Sequence, residues 1–391
     1  MTRDTPSKAG IILLAVLIGI NLRPIMASIG PLLELMQHDL GLTNAEAGLL
    51  TTLPVMMMGL CALAGPWLLR LVGEVKGVGL GIALIALSCA ARAYVDSAHS
   101  LIATAVLGGI GIAFIQALMP AFIKRSHPQS AGMLMGLFTT GIMGGAALAA
   151  ATAAPGAAAF GWHLTLGFAA IPAGLALLAW LLWAGRTPTY NAKATLPYRH
   201  VRAWLLLVFF GIGTGAYTLV LAWLPPFYVE QGWAAADAGY LLGGLTLTEV
   251  LAGLLVSALI QRFPDRRPLL IGVIGLLIAG LACLMTAPNT LALFAIACLG
   301  LGIGALFPLS LIVTLDHASS PESAGELLAF VQGGGYLIAA TMPLVAGFLR
   351  DQLSDLYWAW AVMIVGALVL LVLSGVLRPD GYRPMPQASR A

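Results

Sequence analysis

Twelve apolar stretches run through this chain, each about the 20 residues that a helix needs to cross the hydrocarbon core of a bilayer. They cover 10–36, 45–70, 77–95, 100–123, 130–153, 163–185, 203–229, 238–261, 268–287, 290–314, 324–349 and 357–377, and charged or turn-forming clusters bound each one. A backbone in hydrocarbon must satisfy its own hydrogen bonds, so each stretch is predicted to be a helix. Composition narrows the choice further. Only 9% of the residues are charged, against about 25% in a soluble domain. That is too little to cover a water-facing surface, which excludes an ordinary soluble enzyme. A net charge of +3 without a basic block excludes a disordered or nucleic-acid-binding chain. Cys61, Cys89, Cys283 and Cys298 lie in apolar runs without paired spacing, which excludes a disulfide scaffold. The first eight residues are polar and lead into a helix longer than a signal-peptide core, with no small-residue cleavage site, so the first span is expected to be retained.

Placement of Lys and Arg sets the expected orientation. With the N-terminus inside, the inner set is Arg3 and Lys8; Arg70 and Lys76; Lys124 and Arg125; Arg186, Lys193, Arg199 and Arg202; Arg262, Arg266 and Arg267; and Arg378, Arg383 and Arg390. These are sixteen of the nineteen basic residues; Arg92 and Arg350 fall outside, and Arg23 falls within a span. Both termini are therefore expected in the cytoplasm.

The chain also repeats itself. His127-Pro128-Gln129-Ser130-Ala131-Gly132 recurs as Ser320-Pro321-Glu322-Ser323-Ala324-Gly325, and Ala45-Glu46-Ala47-Gly48 as Ala236-Asp237-Ala238-Gly239. Arg70, closing span 2, matches Arg262, closing span 8. Leu107-Gly108-Gly109-Ile110-Gly111 is similar to Leu299-Gly300-Leu301-Gly302-Ile303. All four pairs share an offset near half the chain length. Six spans is an even number, so the second copy starts on the same side as the first and the repeats are parallel. Two halves in this relation resemble the major facilitator transporters. The expected organisation is a six-helix half over 1–185, a basic cytoplasmic linker over 186–202, a second six-helix half over 203–378 and a cytoplasmic tail over 379–391.

A charged group at mid-span costs about 2.5–3.5 kcal/mol on insertion scales, so it faces the bundle interior and is a functional candidate. Two ionisable acids or bases stand near a span centre: Arg23, in Asn21-Leu22-Arg23-Pro24, and Glu249, in Thr246-Leu247-Thr248-Glu249. An always-charged planar guanidinium suits a small anion or carboxylate; the alternative is that Arg23 pairs with helix carbonyls or with Glu249. Pro24 weakens the local hydrogen-bond ladder and permits a kink. Asn21 lies about 200° around the helix from Arg23, so the two cannot share one cavity. Glu249 is a proton-coupling site or a counter-ion to Arg23, or else a carboxyl tolerated in the bundle. Gln116, Thr139, Thr140, Tyr217, Gln332 and Tyr336 are uncharged polar groups at depth, each able to bond a ligand or a neighbouring helix. Gln332 and Tyr336 are four apart and share a face. Trp223 is expected as an interfacial anchor rather than a gate. The six histidines lie at or near span ends, so a His/Asp proton relay is not expected. The runs around Gly108 and Gly141 lie inside apolar spans and read as helix-packing surfaces, not nucleotide loops. No metal-ligand cluster, Walker motif or Ser/His/Asp set is present, so no cofactor is expected and the chain does not read as an enzyme.

A narrower resemblance is carried by short matches ordered along both halves. Asn21-Leu22-Arg23-Pro24 with Ser28-Ile29-Gly30-Pro31-Leu32-Leu33 is similar to the span-1 signature of the cyanate and nitroimidazole transporter family (CynX/NimT). Pro120–Arg125, Ala222-Trp223-Leu224-Pro225, Leu315-Asp316-His317 and Leu328-Ala329-Phe330-Val331-Gln332-Gly333 resemble its cyanate branch. Glu249 departs from that branch, where an uncharged residue is expected. The loop Arg70–Lys76 is a degenerate form of the superfamily's loop between spans 2 and 3, and Arg262–Arg267 keeps the Asp-Arg-Arg core better. The resemblance implies a monomeric secondary transporter of the bacterial inner membrane. Its halves would rock about a site formed by spans 1, 4, 7 and 10, with spans 5, 8 and 11 behind. The implied solute is a small anion such as cyanate, held by Arg23 and oriented by Tyr217, Gln332 and Tyr336. Its partners are the lipid bilayer and a coupling proton. The competing reading is an exporter of nitroimidazole-like or other drug-like compounds with a mostly apolar cavity.

Overall fold

The computed structural model describes residues 8–184, 196–318 and 321–377. The expectations for Arg3, Arg186, Lys193, Ser320, Arg378, Arg383 and Arg390, for most of the linker and for the tail lie outside the described residues. Each of the twelve apolar stretches is helical and long enough to cross a membrane. Several helices outrun their apolar cores: span 5 extends to Phe160, and the helix of span 11 covers Pro321–Leu353. Span 2 opens on a capping box, in which Thr43 Oγ1 accepts from the Glu46 N–H and Glu46 from the Thr43 N–H.

Span 1 is not one helix. It runs as Lys8–Ile20, Pro24–Ala27 and Ile29–Leu40. At the first break the Asn21 and Leu22 N–H groups reach carbonyls only three residues back, Ile18 at 3.1 Å and Gly19 at 3.0 Å. Pro24, the first residue of the short middle piece, has no N–H to continue the ladder. The interruption therefore falls where Pro24 predicts a kink, and it holds Arg23 in non-ideal backbone at mid-span.

Helix pairing repeats with a step of six spans. Spans 1/5, 2/4, 3/4 and 3/6 pack in the first half; 7/11, 8/10, 9/10 and 9/12 pack in the second. The halves meet along 2/11 and 5/8, which exchange under the same step. The glycines do the packing work expected of them at two of these seams. A Cβ on Gly145 would stand 2.1 Å from the Ile20 carbonyl oxygen, and one on Gly109 would stand 2.5 Å from Pro54 Cα. Lipid-facing residues such as Leu175, Leu178 and Leu182 mark span 6 as a rim helix.

The loops between spans 2 and 3 and between spans 8 and 9 do related work with opposite charges. Glu74 pairs with Arg125, at the end of span 4, at 2.6 Å. Arg266 pairs with Asp316, at the end of span 10, at 3.0 Å. Glu74 and Arg266 occupy equivalent places in the repeat, as do Arg125 and Asp316, so the bridge is kept and its polarity exchanged.

The halves close on each other at the end where span 2 begins. Asp351 of span 11 accepts from the Asn44 N–H at 3.0 Å, the Asn44 amide at 2.8 Å and the Ala45 N–H at 2.9 Å, capping span 2 from the other half. Beside it, a Cβ on Gly239 of span 8 would lie 2.6 Å from the Ala150 carbonyl oxygen of span 5. Trp223 is 1% exposed and donates to the Pro343 carbonyl at 2.9 Å. It ties span 7 to span 11 and is not the interfacial anchor expected. Its neighbour Pro225 meets Gly30 of span 1, which brings the indole into the helix bundle.

Candidate functional site

A cavity of about 370 Å³ lies between the halves at mid-depth. It is lined from span 1 by Arg23, from span 5 by Gly136, Thr139, Thr140 and Met143, and from span 7 by Gly213, Thr214 and Tyr217. Spans 8, 10 and 11 complete it with Glu249, Gly253, Leu254, Ser257, Ile303, Phe307, Leu311 and Tyr336 among others. Gly136, Thr139, Thr140, Leu254 and Ser257 are exposed, so it opens at the end where span 5 starts and span 8 finishes, opposite the Asp351 seam.

Arg23 is 6% exposed. Its guanidinium carbon stands 5.3 Å from the centre of the Tyr217 ring, a cation–π contact between the halves worth about 0.5–2 kcal/mol. Nη1 is 4.0 Å from Met58 Sδ of span 2, and Nε is buried without a hydrogen-bond partner. Glu249 is 5% exposed, and neither of its carboxyl oxygens has a partner. Thr246 and Thr248 donate instead to the carbonyls of their own helix, Leu242 and Leu245. Across from Glu249, a Cβ on Gly304 would lie 2.4 Å from its Cα, so span 10 is pressed against the backbone that carries it. Tyr217 Oη is also buried and unpartnered. Arg23 and Glu249 line one cavity without forming an ion pair. Three buried groups with hydrogen-bonding capacity unused thus converge on one space, where each unsatisfied group costs about 1–3 kcal/mol.

Of the residues expected at the site, Arg23, Thr139, Thr140, Tyr217, Glu249 and Tyr336 line the cavity. Gln116 and Gln332 are not among the lining residues. Span 4 contributes none, because its glycines press it against spans 2 and 3: Gly109 onto Pro54, Gly111 onto Gly81. Spans 5 and 8, expected behind the site, supply much of its wall. Tyr336 packs edge-on against Phe210 at 5.4 Å. One turn away, Gly333 meets Leu63 of span 2. Asn21 points the other way, donating to Leu17 O at 2.7 Å and to Pro172 O of span 6 at 3.3 Å. Thr214 and Ser257 were not anticipated. Helical spacing could have found both, since Thr214 is three residues before Tyr217, and Ser257 is two turns after Glu249.

Arg92, which the charge pattern places on the outer side, is part of the bundle interior. It is 1% exposed, donates from Nη1 to the Ile25 carbonyl at 2.8 Å and from Nε to Thr104 Oγ1 at 3.1 Å, and so reaches the broken segment that carries Arg23.

Comparison with known proteins agrees with this architecture. The model of the Major Facilitator Superfamily matches residues 11–322 and, in a second match, 230–391. The chain is 40% identical over 369 residues to the cyanate transport protein CynX of Escherichia coli (strain K12), covering 92% of this chain and 95% of the relative. It is 31% identical over 378 residues to the 2-nitroimidazole transporter of the same organism, covering 94% and 93%. Among solved structures, a D-xylose–proton symporter superposes with a TM-score of 0.75 at 17% identity, covering 96% of this chain and 99% of that one.

Proposed function

The chain belongs to the major facilitator superfamily, and from that premise we propose that it carries a small anionic or polar solute, of the kind cyanate represents, by alternating access around Arg23. It is a transporter of the bacterial inner membrane with twelve spans, not an enzyme. The observation that carries the reading is the buried Arg23 guanidinium facing a cavity between the halves, with donor capacity left unused. An anion drawn to it satisfies that capacity and is itself compensated in a low-dielectric space.

The same geometry supports a coupling scheme. With Glu249 ionised, Arg23 and Glu249 make the cavity neutral, and an entering anion adds one uncompensated negative charge. A proton on Glu249 restores neutrality, so anion and proton travel together. In the orientation expected from the basic residues, the open end faces the cytoplasm and the Asp351 seam is the closed outer gate. The working unit is taken as the monomer in its lipid bilayer, because one chain supplies the whole lining.

The test is uptake of labelled cyanate into proteoliposomes. Arg23→Ala is expected to abolish saturable uptake, and Arg23→Lys to retain part of it, since charge survives but the planar fork does not. Undiminished uptake by Arg23→Ala would falsify the assignment. For coupling, Glu249→Gln is expected to uncouple uptake from an imposed pH gradient; full retention of the gradient effect removes Glu249 from the scheme.

A second reading, a proton-coupled exporter of nitroimidazole-like or other drug-like compounds, is favoured by the size of the cavity and by its apolar wall of Met143, Leu254, Ile303, Phe307 and Leu311. It predicts that overexpression protects cells from such compounds and that Arg23→Ala leaves this protection intact.

A further inference from the structure

The 2/11 and 5/8 seams are equivalent in the repeat, yet only one of them stays closed toward the inner end of the cavity. Where Asp351 closes the halves, the two seams agree. A Cβ on Gly48 of span 2 would stand 2.6 Å from the Pro343 carbonyl oxygen of span 11. One on its counterpart Gly239 would stand 2.6 Å from the Ala150 carbonyl oxygen of span 5. One turn further, Thr52 donates to the Ala340 carbonyl at 2.7 Å, and a Cβ on its counterpart Gly243 would stand 3.3 Å from the Ala147 carbonyl oxygen. Beyond that the seams part. Spans 2 and 11 remain in contact, with a Cβ on Gly59 2.7 Å from the Gly333 oxygen and one on Gly333 2.6 Å from Leu63 Cγ. The repeat matches Gly59 to Val250 and Gly333 to Thr140, and these two line the cavity instead. A Cβ on Gly136, one turn further along span 5, would meet nothing within 4 Å. The cavity therefore opens sideways, between spans 5 and 8.

That opening faces hydrocarbon. Leu251, Leu254, Leu255 and Ala258 form an exposed stripe along span 8, and Met133, Gly136 and Thr140 form one along span 5. Gly136, Thr140 and Leu254 belong to these stripes and to the cavity wall at once. Arg262 ends span 8 four residues after Ala258, on the same face, and is exposed. Among the described residues no hydrogen bond or ion pair engages it. The facing start of span 5, residues 126–140, carries no acidic side chain. Leu254 lies about 12 Å along the helix from Arg262, within the about 15 Å of hydrocarbon in one leaflet.

We propose that this cleft is a lipid site. An anionic phospholipid of the leaflet at that end sets its phosphate against Arg262. One of its acyl chains lies between spans 5 and 8 and reaches Thr140 and Leu254 at the cavity edge. The chain fills the seam that spans 2 and 11 fill with each other, and it must leave before spans 5 and 8 can close. The site follows from the placement of the helices in the bilayer and does not depend on which solute the cavity carries.

The experiment is photo-labelling of the full-length protein in phosphatidylcholine nanodiscs, without solute. One sample contains phosphatidylglycerol with a diazirine in mid-chain, the other an equal amount of diazirine phosphatidylcholine, and adducts are mapped by mass spectrometry. Phosphatidylglycerol is expected to label Met143 and Val250, inside the cleft, about fivefold more than phosphatidylcholine, the scale of one basic residue's attraction to an anionic headgroup. At Leu175 and Leu178, on the lipid face of span 6, the two lipids should label alike. Arg262→Ala should abolish the preference and Arg262→Lys should keep it. Leu254→Trp, which fills the mouth of the cleft, should lower labelling of Met143 and Val250 by either lipid and leave span 6 unchanged. Thermal melting identifies a variant that has failed to fold, and Thr140→Trp then repeats the filling test. Adducts confined to the exposed stripes, equal labelling by the two lipids inside the cleft, or a preference that survives Arg262→Ala overturns the proposal. Loss of the transport reading around Arg23 would leave these results unaffected.

Discussion

Arg92 Nη1 donates to the carbonyl oxygen of Ile25 at 2.8 Å, linking the last turn of span 3 to the broken segment of span 1, two residues beyond Arg23. The bond satisfies a carbonyl beside the break and fixes the segment on which Arg23 sits. Arg92→Ala is expected to remove about 1.5–3 kcal/mol of charge-assisted bonding. It should lower the melting temperature in detergent and raise KM for the solute, while Arg92→Lys, able to reach Ile25 but not to keep the Thr104 bond as well, recovers part of each. An unchanged KM in a folded Arg92→Ala protein would show that the tie does not position Arg23.

Tyr217 separates two contributions, its ring and its hydroxyl. Tyr217→Phe keeps the face under Arg23 and deletes a buried, unpartnered hydroxyl. If that hydroxyl serves the solute, the solute-free protein should be as stable as the wild type or more so, by up to about 1–3 kcal/mol, while solute affinity falls. Paired thermal shifts with and without solute measure both. Loss of stability without any change in affinity would assign the hydroxyl to the fold.

The exchanged polarity of the two loop bridges invites a charge swap. Glu74 is 4% exposed and bridged to Arg125. Glu74→Arg alone sets two cations together and is expected to destabilise by about 3–5 kcal/mol, the scale for breaking a buried pair. Adding Arg125→Asp reproduces the arrangement of Arg266 and Asp316 and should restore most of the loss. A double-mutant cycle on melting free energies checks it, and additive losses would exclude a direct interaction.

Asp39, in the last turn of the helix Ile29–Leu40 and outside the apolar stretch of span 1 at 10–36, accepts from the Trp162 indole N–H at 2.7 Å. That bond, with His38 adding, holds its carboxyl below the usual carboxylate range. The unfolded chain therefore takes up this proton at higher pH than the folded one. The contribution is fully present above the ordinary carboxylate range and is lost as pH falls through the lowered folded value. Melting temperature should drop on acidification below about pH 4, and Asp39→Asn should flatten part of that drop. Superimposable pH profiles would remove Asp39 as the cause.

The site was partly legible before any tertiary structure. Arg23 and Glu249 stand out because hydrocarbon makes a mid-span charge costly, so a residue tolerated there faces the interior. Tyr336 and Gln332 carry equal signals in the sequence, yet only Tyr336 lines the cavity. Thr214 and Ser257 passed as ordinary small polar residues; only their helical phase relative to Tyr217 and Glu249 marks them. Arg92 looked like a span-end charge because depth along a helix says nothing about which neighbour lies alongside.

By itself, the sequence determined the twelve spans, their division into two parallel copies and the place, at Pro24, where span 1 is free to kink. These follow from local physics: hydrocarbon offers the backbone no partner outside its own helix, and proline lacks an N–H. Only the tertiary structure decided which face of each helix meets the cavity, that spans 5 and 8 wall it while span 4 does not, and that Arg92 holds the segment bearing Arg23. Lipid is as apolar as a helix surface, so hydropathy does not distinguish a lipid-facing residue from one packed on a neighbour. That choice is made by close backbone approach, as at Gly145 on Ile20 and Gly304 on Glu249, and such fits exist only between helices.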